Sequence, residues 1–76
     1  MNYDHHITAQ VIGILRTQLG LSQEDVSQKA NLSRSHYAMV ETGAKSATVE
    51  TLWKISEALE IRLSDLFRIV EDRIQP

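Results

Sequence analysis

The segment Leu21–Gly43 reads LSQEDVSQKANLSRSHYAMVETG, and its spacing decides the fold. Ser22 is a good helix N-cap, because its hydroxyl can accept from a first-turn backbone N–H. Asp25, three residues on, acts as a shortened capping-box partner. The helix that follows carries Val26 and Ala30 on one face and ends near Ala30–Asn31. Asparagine tolerates the left-handed conformation that a tight turn demands. Ser33 caps the next helix, which runs to Glu41 or Thr42 and is closed by Gly43. Tyr37 and Val40 give that helix an inward pair, and Leu32 sits between the two helices as an elbow residue. A generic amphipathic bundle has no need of an apolar elbow between two helices of barely two turns each. The spacing therefore outlines two short helices held at an angle across a tight turn.

Outward from this unit the chain remains helical. On the N-terminal side, Ile12, Leu15 and Leu19 lie at helical spacing in a helix expected from about Thr8 to Leu19, stopped at Gly20. On the C-terminal side, a loop over Ala44–Ala47 leads to Thr48, the N-cap of a fourth helix carrying Leu52, Ile55 and Leu59. Ser64 is read as the cap of a fifth helix, Asp65 to about Ile74. The one proline is Pro76, and runs of β-branched residues are absent. The expectation is an all-α, compact five-helix domain over residues 1–76, with the helix-turn-helix at about 22–42.

Composition sets limits on function. There is no cysteine, so neither a disulfide framework nor a thiolate metal site is available. Met1–His6 lacks the basic start and apolar run of a signal peptide, and no apolar stretch approaches a membrane span. A cytoplasmic protein is expected. The net charge is −2, whereas binding to a nucleic-acid backbone rests on Lys and Arg. The distribution relieves that objection. Between Ser22 and Lys45, the acids Glu24, Asp25 and Glu41 are balanced by Lys29, Arg34 and Lys45. The acidity lies mainly from Glu50 onward.

With these residues in place, the sequence resembles the phage-repressor-like (Cro/cI-type, XRE-like) helix-turn-helix family of DNA-binding proteins, with the lambda-repressor-like fold that implies. The resemblance rests on Leu15-Arg16, Gly20 to Val26, Leu32 to Ser35, Glu41-Thr42-Gly43, Thr51 to Leu59 and Leu63 to Phe67. It covers about residues 8 to 67. Ser27, Asn31 and Ala47 depart from the alanine, glycine and proline common at those positions. Val11, Gly13 and Ile14 replace residues that are commonly polar or basic.

The resemblance implies that the third helix enters the major groove with its N-terminal residues at base edges. Arg34, Ser35, His36 and Met39 are then the base-contact candidates. Arg34 leads, because guanidinium to guanine is the commonest specific pairing; a phosphate clamp is its alternative. Gln23, Ser33, Thr42, Lys45 and Ser46 are the phosphate-contact candidates, Gln23 aided by the positive end of its own helix. Arg16 and Glu41 are expected to form a structural ion pair that orients the recognition helix, consequential only if partly buried.

No metal, cofactor or small-molecule ligand is expected. His5 and His6 are adjacent, so on a helix they diverge by about 100°. No carboxylate or cysteine follows them at ligand spacing, and their terminus is expected to fray. No nucleophile motif accompanies the serines and histidines, so the chain is not read as an enzyme.

Trp53, Ile69, Val70 and Ile74 are the apolar residues left over after one core is built, with Ile7, Val11 and Ile14 as a secondary patch. They are the expected homodimer interface, unless the fifth helix folds back on the first and hides them. The leading expectation is a homodimeric transcriptional regulator of double-stranded DNA on a palindromic operator. An antitoxin or restriction–modification controller role is the alternative within the DNA class. A protein-interaction module on the same fold is the alternative outside it, favoured by the net acidity and opposed by Arg34, Gln23 and Lys45.

Overall fold

Five helices follow one another in a computed structural model that describes residues 2–75: α1 His5–Gln18, α2 Gln23–Lys29, α3 Arg34–Glu41, α4 Val49–Ala58 and α5 Leu63–Ile74. Among the described residues there is no strand. Side-chain caps start four of the helices. Ser22 and Asp25 exchange both capping-box bonds, at 3.0 and 2.8 Å. Ser33 accepts from the His36 N–H and Thr48 from the Thr51 N–H, each at 3.1 Å.

The fourth cap changes the expected start of α1. Asp4 accepts the His6 N–H at 2.9 Å, so the helix begins at His5 rather than near Thr8. Its first turns are held by burial of Thr8 and Ala9. The N-terminal histidines are therefore helical, and the frayed terminus expected there is not found. At α5 the start also moves forward, to Leu63, with Arg62 as a cap that makes no side-chain bond. Ser64 lies within the first turn and is not the cap. Leu63 packs against the core, which draws the first turn forward without help from a hydroxyl.

The chain turns sharply after α1, α2 and α4. Leu21, Leu32 and Ile61 return their N–H groups to Arg16, Ser27 and Ser56, five residues back, at 3.2, 2.9 and 3.0 Å. That closure places Gly20, Asn31 and Glu60 at positive φ. Asn31 takes the left-handed conformation its sequence position suggested, and Glu60 does so without side-chain chemistry suited to it. Ser27, buried at the elbow, spends its hydroxyl on the Glu24 carbonyl at 2.9 Å.

Ile12, Val26, Tyr37, Ile55 and Leu66 are fully buried at the centre, with Val40, Leu52, Leu59 and Val70 around them. α2 packs on α3 and α4, while α1 packs on α3 and α5. The α1–α5 contact corrects the expected interface: Val70 and Val11 are each only 1% exposed and belong to the core. Ile7, Ile69 and Ile74 are half-buried against that core. The fifth helix folds back on the first, so most of the apolar surplus is consumed within one chain. Leu19, expected on the inward stripe of α1, is exposed at its C-cap, and Leu21 packs in its place.

Candidate nucleic-acid interface

The outer face of α3 follows from burial of its inner one. With Tyr37 and Val40 in the core, the helical period turns Ser33, Arg34, Ser35 and Met39 outward, and all four are exposed; Met39 is 44% exposed. His36 is half-buried beside them. Thr42, Lys45 and Ser46 are exposed just beyond the helix. The Lys45 N–H bonds the Met39 carbonyl at 3.1 Å, which ties the loop to the end of α3. The base candidates and all the phosphate candidates except Gln23, which lies on α2, are thus carried by α3 and the loop after it. Two of the hydroxyls already serve the helix: Ser33 as its cap, and Thr42 through a 3.3 Å bond to the Met39 carbonyl.

Behind this surface stands Glu41, whose carboxylate gathers three side chains. Arg16 donates Nε to Oε1 at 2.6 Å and Nη2 to Oε2 at 3.2 Å, and its Nη1 reaches the Leu21 carbonyl at 2.7 Å. Tyr37 donates its hydroxyl to Oε1 and Gln23 its amide to Oε2, both at 2.6 Å. The Arg16 and Glu41 side chains are 20% and 9% exposed. Burial by itself would raise the Glu41 pKa. The donated bonds of Arg16, Tyr37 and Gln23 outweigh it and hold the carboxyl below its ordinary value. Burial, and then the neighbouring Glu41 carboxylate, push the Tyr37 hydroxyl far up. The Glu41 hydrogen bond raises the Arg16 guanidinium. Three helices and the Leu21 loop converge on one partly buried charge pair, which ties α3 to α1 and to the start of α2.

Two members of this network escape a reading of the sequence. Tyr37 lies four residues before Glu41, a spacing that places both on one helix face, so its part could have been found. The engagement of Gln23 with Glu41 spans 18 positions and has no local signal. It also qualifies the phosphate role foreseen for Gln23. One amide N–H is already used inside the protein, which leaves the second N–H and the backbone for an anion.

Residues 12–66 match the family described as Helix-turn-helix. The chain belongs to this family of DNA-binding transcriptional regulators. Its members act by binding and not by catalysis. A control protein of Mycoplasma sp., C.MunI, is 39% identical over 51 residues, spanning 67% of this chain and 69% of that one. The restriction–modification controller protein C.AhdI of Aeromonas hydrophila is 34% identical over 84% of this chain and 97% of its own, with a TM-score of 0.80. A third, C.Esp1396I, was solved as a tetramer in complex with its natural 35 base-pair operator. It is 25% identical over the whole of both chains, with a TM-score of 0.89. No described helix of the present chain is long and apolar enough to cross a membrane.

Proposed function

We propose that the protein is a homodimeric regulator of the restriction–modification controller type, which binds a palindromic operator in the cytoplasm. The observation that carries this reading is the fixed, outward face of α3. Arg34 and Ser35 stand at the helix start, where a recognition helix meets base edges, and Lys45 and Ser46 flank it toward the phosphates. The whole-chain likeness to an operator-bound controller supports the same use of that face. A single recognition helix touches few base pairs, so two copies about one DNA turn apart supply the specificity.

Because Val70 is buried, the dimer surface must be drawn elsewhere than first expected. Trp53 is 56% exposed. It borders a groove of about 700 Å³ between α4 and α5, whose apolar lining is Trp53, Ile61, Leu63 and Phe67. A second copy is the occupant assigned to this groove, in keeping with the multimeric assembly of C.Esp1396I on its operator. Trp53 is retained from the original interface. Ile69 and Ile74 are half-buried against the core and do not line this groove.

Selection of bound sequences from random duplex DNA at stated salt tests the reading. A palindromic consensus with two half-sites is the expected result. Recovery of no sequence above background would transfer the fold to the protein-interaction role.

A further inference from the structure

The first turn of α1 brings together side chains that sequence spacing had set apart. The rings of His5 and His6 lie with centroids 4.2 Å apart and planes inclined by only 34°. Asp4 joins them from the preceding position. Its Oδ1 is 3.0 Å from His6 Nδ1, and one potential ligand atom from each of Asp4, His5 and His6 lies within 4.8 Å of the others. The carboxylate of the cluster precedes the two histidines rather than following them at ligand spacing.

Two contacts hold this cluster against the recognition unit. His5 Nε2 is 3.0 Å from the Gly43 carbonyl oxygen. A carbonyl can only accept, so Nε2 carries the proton and Nδ1 keeps the free lone pair. That is the state of a metal-ligating histidine whose second nitrogen is anchored to a backbone oxygen. His6 packs on the same residue: a Cβ at Gly43 would meet His6 Cδ2 at 2.9 Å. Gly43 is buried at positive φ, and the bare backbone there makes room for the ring.

We propose that Asp4, His5 and His6 form a site for one borderline divalent cation of the zinc class, anchored through His5 to the carbonyl just beyond the recognition helix. Two imidazole nitrogens and one carboxylate oxygen suit such an ion better than magnesium or calcium, which prefer all-oxygen shells. Solvent completes the coordination, since His6 and Asp4 face outward. A helix N-terminus repels a cation, but here the Asp4 carboxylate stands between them. Asp4 accepts the His6 backbone N–H and Nδ1–H on Oδ1, which leaves its Oδ2 and the His6 Nε2 lone pair for the ion. Coordination at His5 Nδ1 polarises its Nε2–H and tightens the bond to Gly43, so occupancy braces the loop that carries Lys45.

The test is calorimetric titration of the full chain, prepared without a polyhistidine tag, with Zn2+ near neutral pH. One ion per chain is expected, with a rise in melting temperature on addition of Zn2+. His6→Gln and Asp4→Asn should each weaken uptake at least about tenfold, and His36→Gln should leave it unchanged. Asp4→Asn preserves an N-cap and His6→Gln removes no bond to Gly43, so neither variant endangers the fold. No uptake at high micromolar Zn2+ would overturn the proposal. So would one ion shared by two chains, or uptake indifferent to both variants. None of these outcomes bears on operator binding, which is measured separately.

Discussion

Arg34 stands exposed at the start of α3, with no side-chain partner among the described residues, and is free to meet DNA. If it reads a base, Arg34→Ala should cost about 1–3 kcal/mol in operator affinity and relax preference at one symmetric position. Lys45→Ala should weaken cognate and scrambled duplexes alike, as a phosphate contact does. Equal losses on both duplexes for Arg34→Ala would make it a phosphate contact too. Glu41 works in the opposite sense, inward. Removing Arg16 or Glu41 strands the other charge in a site mostly closed to water, a loss on the order of 3 kcal/mol by analogy with buried pairs. Thermal melts of Arg16→Ala, Glu41→Ala and the double variant measure it. A double variant less impaired than the sum shows the coupling, and small additive losses would mean a pair of little consequence. The carboxyl also sets a pH dependence. Its folded pKa lies below the ordinary 4.5, so as pH falls the unfolded chain takes up the proton first. The stability it contributes is fully present above about pH 4.5 and is lost as pH drops through the folded value. Urea melts across that range should show wild-type stability falling more steeply than that of Glu41→Gln, and parallel curves would refute this origin.

The helices themselves were legible where a Ser or Thr cap sets the boundary. Ser22, Ser33 and Thr48 start α2, α3 and α4 where their hydroxyls predict, because a cap is a local interaction encoded within four residues. Two starts lie earlier than expected: that of α1, where Asp4 is a side-chain cap masked by the polar terminus around it, and that of α5, which packing sets. α5 begins at Leu63 because that leucine meets the core, and periodicity within the helix carries no record of it. The convergence on Glu41 is half legible for the same reason. Arg16 could be paired with it through the family resemblance, while Gln23 and the Leu21 carbonyl are brought in only by the angle between α1 and α2. One element end carries an evident cost. Glu60 follows α4 at φ 57°, where a left-handed conformation costs a non-glycine residue about 1 kcal/mol or more. Glu60→Gly relieves this, partly offset by the greater freedom of glycine in the unfolded chain. A net gain of about 0.5 kcal/mol is expected, or a few degrees in Tm for a domain of this size. A fall in Tm would mean that the glutamate side chain makes a contribution its position at the groove does not reveal.

At the scale of the whole molecule, the folding back of α5 on α1 divides the apolar residues into two sets with different fates. Val70 and Val11 lie inside one chain, whereas Trp53 is left on the surface beside Ile61, Leu63 and Phe67. Sequence periodicity could not make this division, because both sets lie on amphipathic helices and only the packing angle decides which faces meet. The division makes the dimer testable without ambiguity about folding. Val70→Asp places an unpaired charge in the core and should abolish the cooperative melt, so it reports on the fold and not on assembly. Trp53→Asp alters an exposed side chain and should leave the helical content and the melt of the monomer intact. Sedimentation should then show the wild type as a dimer and Trp53→Asp as a monomer, with operator affinity lost in parallel. The salt dependence offers an independent count. With Lys45 on phosphate and Arg34 on a base, a dimer neutralises two phosphates through this face and the slope of log K against log salt should be about −2, steepening toward about −4 if Arg34 clamps phosphate instead. A slope as steep as about −10, that of a far more basic repressor, would show phosphate contacts beyond this surface. If the wild type sediments as a monomer at high micromolar concentration both with and without DNA, the α4–α5 groove does not join two copies. Specificity would then have to come from one α3 alone, which reads too few base pairs to locate a unique site, and the regulatory reading would fail with the dimer.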